Sequence, residues 1–417
     1  MGQTIAEKIL SMHAGKKVYA GDIAICDVDF CFGQDGTSSL IIDSLKKIGA
    51  RKIFNPDKFS MVIDHSAPSP NMGVSRVHKK MRDFAAEQGV KIYDIGCGVC
   101  HVVIPEDGLV VPGDLVAGAD SHTCTYGALN AFSCGFGSTD LAVVAACGRN
   151  WFKVPQSVKI IISGRRPKGV YSKDIILHII GALGADGGTY KSIEFIGEAI
   201  DNLSMDARFT ISNMVVEAGA KCGIMPADHK TLDWVKTHSK RTPRVIAADD
   251  QAKYTEIRQV TISKMSPQVA KPHSVDNVVP IEEVLNTHID QAYLGTCTNG
   301  RIEDLEIAAM VLKHKRIHPR VRFIVAPASR QIYLEAIKRG IMGILIEAGA
   351  AVVTPGCGPC VGTHNGVPAE NEVVISSANR NFKGRMGQSS AAIYLASPAT
   401  VCASAIEGKI ADPRGCL

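Results

Sequence analysis

The sequence carries no strong excess of charge of either sign. A net +5 spread over 417 residues is too weak a field to argue for a nucleic-acid partner, although a local patch for an anionic substrate stays open. It has no signal peptide and no long apolar run, so neither export nor a membrane span is expected; residues 4–7, Thr4 to Glu7, read instead as a capping box that opens a helix. Met1 and Gly2 begin an acylation motif that fails at Ala6, where serine or threonine is required. Tandem repeats and low-complexity tracts are also missing, which sets aside solenoids and disordered arrays. The expected compartment is therefore cytoplasmic, where thiols stay reduced. Most of the 13 cysteines are then small buried hydrophobes, with a minority as metal ligands.

What the chain does have is alternation. Strand-like runs at 158–163 and 321–326 are each followed by an amphipathic helical stretch, at 173–180 and 329–338, and repetition of this kind predicts an α/β fold with largely parallel sheets. The length favours two or three domains over one core. Boundaries are expected near 151–155 and in the polar, proline-bearing stretch 266–280, which reads as a linker; the resulting units are 1–154, 155–280 and 281–417. Turns at Gly96, Gly118, Gly295 and Gly356 each follow a strand-like run, the place where such folds keep their active residues. The last helix is expected to begin at Ser397 with Pro398 in its first turn.

Two pairs of cysteines stand two residues apart. Cys97 and Cys100 are followed by His101, which matches a c-type haem attachment string, but an unexported chain would not meet the haem machinery. Cys357 and Cys360 lie in a glycine and proline turn, and Cys297 sits in a similar setting after Gly295. Such a pair suits iron–sulfur, zinc or a redox disulfide about equally. A count of three is more informative. Electron-transfer clusters are usually closed by four protein ligands, whereas three leave one iron free to act as a Lewis acid. A structural zinc site would need a fourth ligand, and His364 is the nearest candidate. The remaining cysteines, including Cys124, Cys134 and Cys147 in a helical Ala/Gly region, are expected in the core.

Several segments, in order and spacing, resemble the aconitase superfamily and, within it, the large-subunit branch of the isopropylmalate dehydratases. They are Gln34 to Thr37, Asp64 with His65, Gly98 to His101, Gly118 to Thr123, Asn213 to Glu217, Gly295 to Asn299, Gly356 to Cys360 and Asn379 to Arg385. The resemblance implies three α/β domains around a [4Fe-4S] cluster, one per subunit, on Cys297, Cys357 and Cys360. It also implies a fourth, swivelling domain supplied by a separate small subunit, which brings the base serine and a substrate-binding arginine. The Ser–Arg pairs present here, Ser75 with Arg76 and Ser329 with Arg330, lie in helix-like contexts.

The implied reaction dehydrates and rehydrates a small hydroxy-acid, 3-isopropylmalate first, with homoaconitate and 2,3-dimethylmalate as alternatives. Hydroxide is a poor leaving group, so a positioned acid is needed, an effect worth about 100- to 10,000-fold. By resemblance Asp64 and His65 supply that proton, His101 is oriented by Asp120, and His122 pairs with Glu217; a carboxylate holding an imidazole fixes its tautomer. Arg380 and Arg385 are implied to clamp a substrate carboxylate, with Gln34 and Ser121 helping to orient it. Asn213, Asn299 and Asn379 are implied to reach cluster sulfurs or cysteine thiolates. Two readings from other classes compete. An RNA-binding regulator requires a basic surface that the composition does not supply, and a zinc protein would be colourless. The basic residues at 79–80 and 313–322 are expected on exposed faces.

Overall fold

Strands buried on both faces set the architecture, which a computed structural model describes for residues 2–417. Phe30–Gln34, Phe59–Val62 and Leu115–Gly118 are buried along their whole length, as strands covered on both sides must be. With Lys91–Tyr93 and Phe132–Gly135 they form a five-stranded sheet that is parallel throughout. A second parallel sheet orders Cys222–Ile224, Ser192–Ile196, Ser157–Ser163 and Glu256–Thr261. The third sheet has seven strands. Ala392–Leu395, Val373–Ser376, Gln291–Leu294, Arg322–Val325 and Ala351–Val352 run parallel, and an antiparallel hairpin closes one edge. The α/β fold with largely parallel sheets is the one expected.

That closing hairpin corrects the sequence reading. The stretch taken as a linker folds into strands Gln268–Ala270 and Val278–Pro280, the first of which also pairs with Ala392–Leu395 through Ala270 and Leu395. Pro280 can stand there because an outermost strand has one side free of ladder bonds. Polar content and a proline do not separate an edge hairpin from a linker. Residues 151–155, where the first boundary was expected, run from the end of strand Arg149–Lys153, paired antiparallel with Ile23–Asp27 and alternating between exposed and buried, to just before Ser157–Ser163 of the second sheet.

The caps follow local chemistry. Thr4 accepts the Glu7 N–H at 3.3 Å while the Glu7 carboxylate accepts that of Thr4 at 2.8 Å, and helix Ile5–Ala14 starts there. Helix Pro398–Glu407 follows Ser397 as expected. Cys124 and Cys134 are buried, the latter in a strand rather than a helix, but Cys147 is exposed at the end of helix Ser138–Cys147. The Ala-rich composition there does not tell which helical face the thiol occupies.

One core runs from Phe32, Val62 and Val103 to Leu305, Leu312 and Phe323. Each such side chain contributes about 1.5–3 kcal/mol by leaving water, so the first and third sheets resist separation. A bridge between Gly98 and Ser329 fastens them. It needs glycine: a Cβ at Gly98 would fall 2.6 Å from Ser329 Cα, and its φ of +138° is one that side chains rarely adopt. Among the described residues no helix is long and apolar enough to cross a membrane.

Candidate active site

The carboxyl ends of the first and third sheets point at one cavity of about 190 Å³. Gln34 ends its strand, Asp64 and His65 follow Phe59–Val62, and Asp120 to His122 follow Leu115–Gly118. From the other side, Cys297 follows Gln291–Leu294, Cys357 follows Ala351–Val352, and Asn379 and Arg380 follow Val373–Ser376. The lining comprises Gln34, His65, His101, Asp120, Ser121, His122, Thr296, Cys297, Cys357, Cys360, Val361, Asn379, Arg380 and Arg385. Asp64, Glu217 and Asn213 stand behind it, each bonded to a residue of the lining.

Carboxylates hold the imidazoles in pairs. His65 Nδ1 meets Asp64 Oδ1 at 2.7 Å and its Nε2 meets Asp120 Oδ2 at 3.3 Å. His101 Nε2 meets Asp120 Oδ1 at 2.8 Å, and His122 Nε2 meets Glu217 Oε1 at 2.8 Å. Burial opposes charge at both His65 and His101. At His101 it prevails and holds the pKa below its ordinary value despite Asp120. At His65 burial is outweighed by negative charge, from Cys357 once it is a thiolate and from Asp64 and Asp120, which holds the imidazole well above its usual range. The two imidazoles are thus biased in opposite directions, His65 toward its charged form and His101 toward its neutral one.

Backbone contacts bring the thiols to this group. Cys357 N–H donates to Asp64 O at 2.8 Å, an approach that suits glycine at 356, where a Cβ would meet the same oxygen at 2.9 Å. Cys297 Sγ accepts from Asn213 Nδ2 at 3.2 Å and from Asn379 Nδ2 at 3.6 Å, and Cys360 Sγ accepts from Arg385 Nη2 at 3.6 Å. Burial pushes the Cys297 thiol up to about 12 and drives Cys357 up as well. Both stay protonated as bare thiols at neutral pH, and metal binding would release their protons. Arg380 Nε donates to both Glu217 oxygens at 2.9 Å. Arg385 Nε and His101 Nδ1 are buried without a protein partner among the described residues.

The aconitase family (aconitate hydratase) matches residues 7–408. A "3-isopropylmalate dehydratase large subunit 1" of Thermotoga maritima is 50% identical over 417 residues, covering 99% of each chain. The chain belongs to the aconitase family. Other similar members are a "3-isopropylmalate dehydratase large subunit 1" of Methanopyrus kandleri, 48% identical with 99% of each chain covered, and a "Probable methanogen homoaconitase large subunit" of Methanothermobacter thermautotrophicus, 48% identical with 98% of this chain and 97% of that one covered. Among solved structures, Thermococcus kodakaraensis aconitase X (holo-form) shares the fold at a TM-score of 0.50 and 11% identity, covering 92% of this chain and 91% of that one.

Family membership implies an iron–sulfur cluster, and the donor set here fits one better than a single zinc ion. Four-coordinate zinc at about 2.3 Å from each sulfur needs those sulfurs roughly 3.8 Å apart. Among the described residues the three cysteine sulfurs do not form a set within 4.8 Å of one another, nor does His364 join them. They line the same cavity at wider spacing, as a body of several atoms requires.

Of the residues the aconitase-family pattern named, the structure brings all but Asn299 together in the cavity lining or directly behind it. Asn299 turns away from the thiols: its Nδ2 donates to Asp304 Oδ1 at 2.9 Å and to Thr210 Oγ1 at 3.4 Å. The carboxylate offers a stronger acceptor than a shared sulfur. Thr298 links the two amides that do reach Cys297, its hydroxyl donating to Asn213 Oδ1 at 2.6 Å and accepting from Asn379 Nδ2 at 3.1 Å. Asp35 was also missed. Its carboxylate accepts the backbone N–H groups of Asp64, His65 and Ser66 at 3.1, 2.8 and 2.8 Å and meets His78 at 3.2 Å, which fixes the turn that aims His65. An Asp–Gly pair reads as a turn, and nothing local announces a partner 30 residues away. Thr296 at the cavity wall has φ +77°, a strained conformation for a β-branched residue, steadied by its hydroxyl accepting the Thr298 N–H at 3.1 Å.

Proposed function

We propose that this chain is the cluster-bearing large subunit of a hydro-lyase that interconverts 2- and 3-isopropylmalate through the unsaturated acid. The observation that supports it is a single cavity joining three thiols, three carboxylate-held imidazoles and two arginines. The relatives named 3-isopropylmalate dehydratase give the substrate. The relative named homoaconitase favours homoaconitate as the second reading.

Cys297, Cys357 and Cys360 would hold the cluster. When bound, a [4Fe-4S] cluster with one iron lacking a protein ligand supplies a Lewis acid for the departing hydroxyl. The chain's own residues do the remainder. His65, kept protonated between Asp64 and Asp120, holds the proton that neutralises the leaving oxygen. Arg380 and Arg385 bind a substrate carboxylate with planar forks, and Gln34 and Ser121 orient it from the opposite wall. His101, neutral and fixed by Asp120, contributes an orienting hydrogen bond. A small subunit completes the site with the base that removes the carbon-bound proton, a reading supported by the large-subunit names of the relatives.

Anaerobically reconstituted chain, mixed with its small subunit, is assayed against isopropylmalate, homocitrate, citraconate and dimethylmalate. Highest kcat/KM on isopropylmalate is expected, with little turnover by the chain alone. Preference for homocitrate replaces the substrate, and robust single-chain activity overturns the two-subunit reading.

A further inference from the structure

Behind the cavity lies a charge that the chemistry above does not use. Lys173 stands in the first turn of helix Ser172–Leu183 and is completely buried. Its Nζ donates to the carbonyls of Ser377 and Ala378 at 2.8 and 2.6 Å. Both are neutral acceptors. The adjacent Asp174 is engaged elsewhere, accepting the backbone N–H groups of Tyr171 and Gln268 at 2.7 and 2.8 Å.

A lysine is an unfavourable residue here on two counts. A cation in a first helical turn faces the positive end of the helix dipole. A buried ammonium without a carboxylate partner recovers little of its lost hydration, and an apolar side chain of similar volume would be no less stable. The reason lies beyond the carbonyls it holds. Ala378 leads directly into Asn379, which touches Cys297, and Arg380, which is bonded to Glu217. Burial works against the ammonium and pulls it down to about 7; what opposes this is negative charge at Cys360 and Cys297, once they are thiolates holding metal, and at Asp304 and Glu217, four groups in all. Two of those four are the thiols themselves. A [4Fe-4S] centre in its resting state, held by three thiolates, carries net negative charge, which a buried cation on this side balances.

We propose that Lys173 is a positioning residue for that centre: from behind the Ser377 and Ala378 carbonyls its ammonium supplies the buried counter-charge and fixes the segment that carries Asn379 and Arg380. The proposal rests on the three-cysteine cluster reading, and it assigns the charge to the site rather than to the fold.

The test compares full-length wild type with Lys173→Met, Lys173→Gln and Lys173→Arg, each as apo chain and after anaerobic reconstitution. Thermal melting of the apo chains, iron and sulfide content, and the midpoint potential of the loaded cluster by EPR-monitored titration are the readouts. Apo Lys173→Met is expected to melt at or above wild type. Its cluster is expected to be harder to reduce, shifting to a more negative potential, with Lys173→Arg restoring the wild-type value. Neutral variants that fold but fail to load, while Lys173→Arg loads, also support the charge role. Two results overturn it: neutral variants that load with an unchanged potential, or neutral variants whose apo chains do not fold while Lys173→Arg does. Wild type that takes up no iron defeats the cluster reading itself, and this inference with it.

Discussion

The two walls of the cavity are built on opposite plans. The wall from the first sheet is internally satisfied apart from His101 Nδ1: His65 lies between Asp64 and Asp120, His101 Nε2 is held by Asp120, and Asp35 gathers the backbone of the turn beneath. The wall from the third sheet is not. Burial forces the Cys297 and Cys357 thiols up, Arg385 Nε is buried without a partner among the described residues, and the backbone at Thr296 is strained. A wall whose groups are already paired needs only to orient protons. A wall left incomplete is shaped for something that the polypeptide does not contain. Preorganisation on one side and deficiency on the other is what a cofactor-dependent acid–base site requires.

Four changes break or sharpen that contrast. Cys360→Ser removes a ligand from the incomplete wall and is expected to abolish iron retention and the absorbance near 400 nm. Activity falls to background while the melting temperature of the apo chain barely moves; full activity in this variant contradicts the cluster assignment. His65→Gln strikes the satisfied wall. It is expected to lower kcat by about 100-fold or more with iron content unchanged, and loss of iron instead would make His65 part of the metal's hold. Asp35→Asn attacks the support of that wall. Burial opposes ionisation of Asp35, but His78, His65 and the backbone N–H groups it accepts hold its carboxyl well below the usual range. A depressed carboxyl stabilises the fold above its unfolded pKa of about 3.9 and loses that contribution as pH falls through the folded value. The variant is expected to lose about 1–3 kcal/mol at neutral pH and to unfold with a shallower acid dependence, read from urea midpoints. The smallest effect is at Asp304, which burial raises to about 7. A raised carboxyl contributes most below its unfolded pKa, and its contribution declines as pH rises through the folded value. Asp304→Asn is expected to flatten the fall in urea midpoint between about pH 4 and 7, since Asn299 can turn its unpaired Oδ1 toward the new amide. An unchanged slope would show that Asp304 is not the group responsible.

How much of this could be read from the chain follows from the range of the forces involved. Short apolar runs and glycine turns are local, so the strands near 158–163 and 321–326 and those running into Gly118 and Gly295 were legible, as were the helix starts at Thr4 and Ser397. Edge pairing is not local, and the hairpin at Gln268–Ala270 and Val278–Pro280 passed for a linker. Residues that face the cavity were found through the pattern of motifs. Two that act from behind it were missed: Asp35 and Lys173 reach partners about 30 and 200 residues away, and only the packed structure brings them together. Asn299 shows the converse, since a motif position does not fix which acceptor wins once Asp304 is in reach.

The chain His122, Glu217 and Arg380 joins loops that leave three different sheets. Its guanidinium touches Glu217 through Nε, one of five available donors. This arginine already has an anionic companion in Glu217, so under the proposed function an arriving dicarboxylate would meet a limb that is seated rather than one that must first be gathered from solvent. Departure of product leaves no bare cation behind, and successive turnovers can proceed without rebuilding the seam at which the three layers meet.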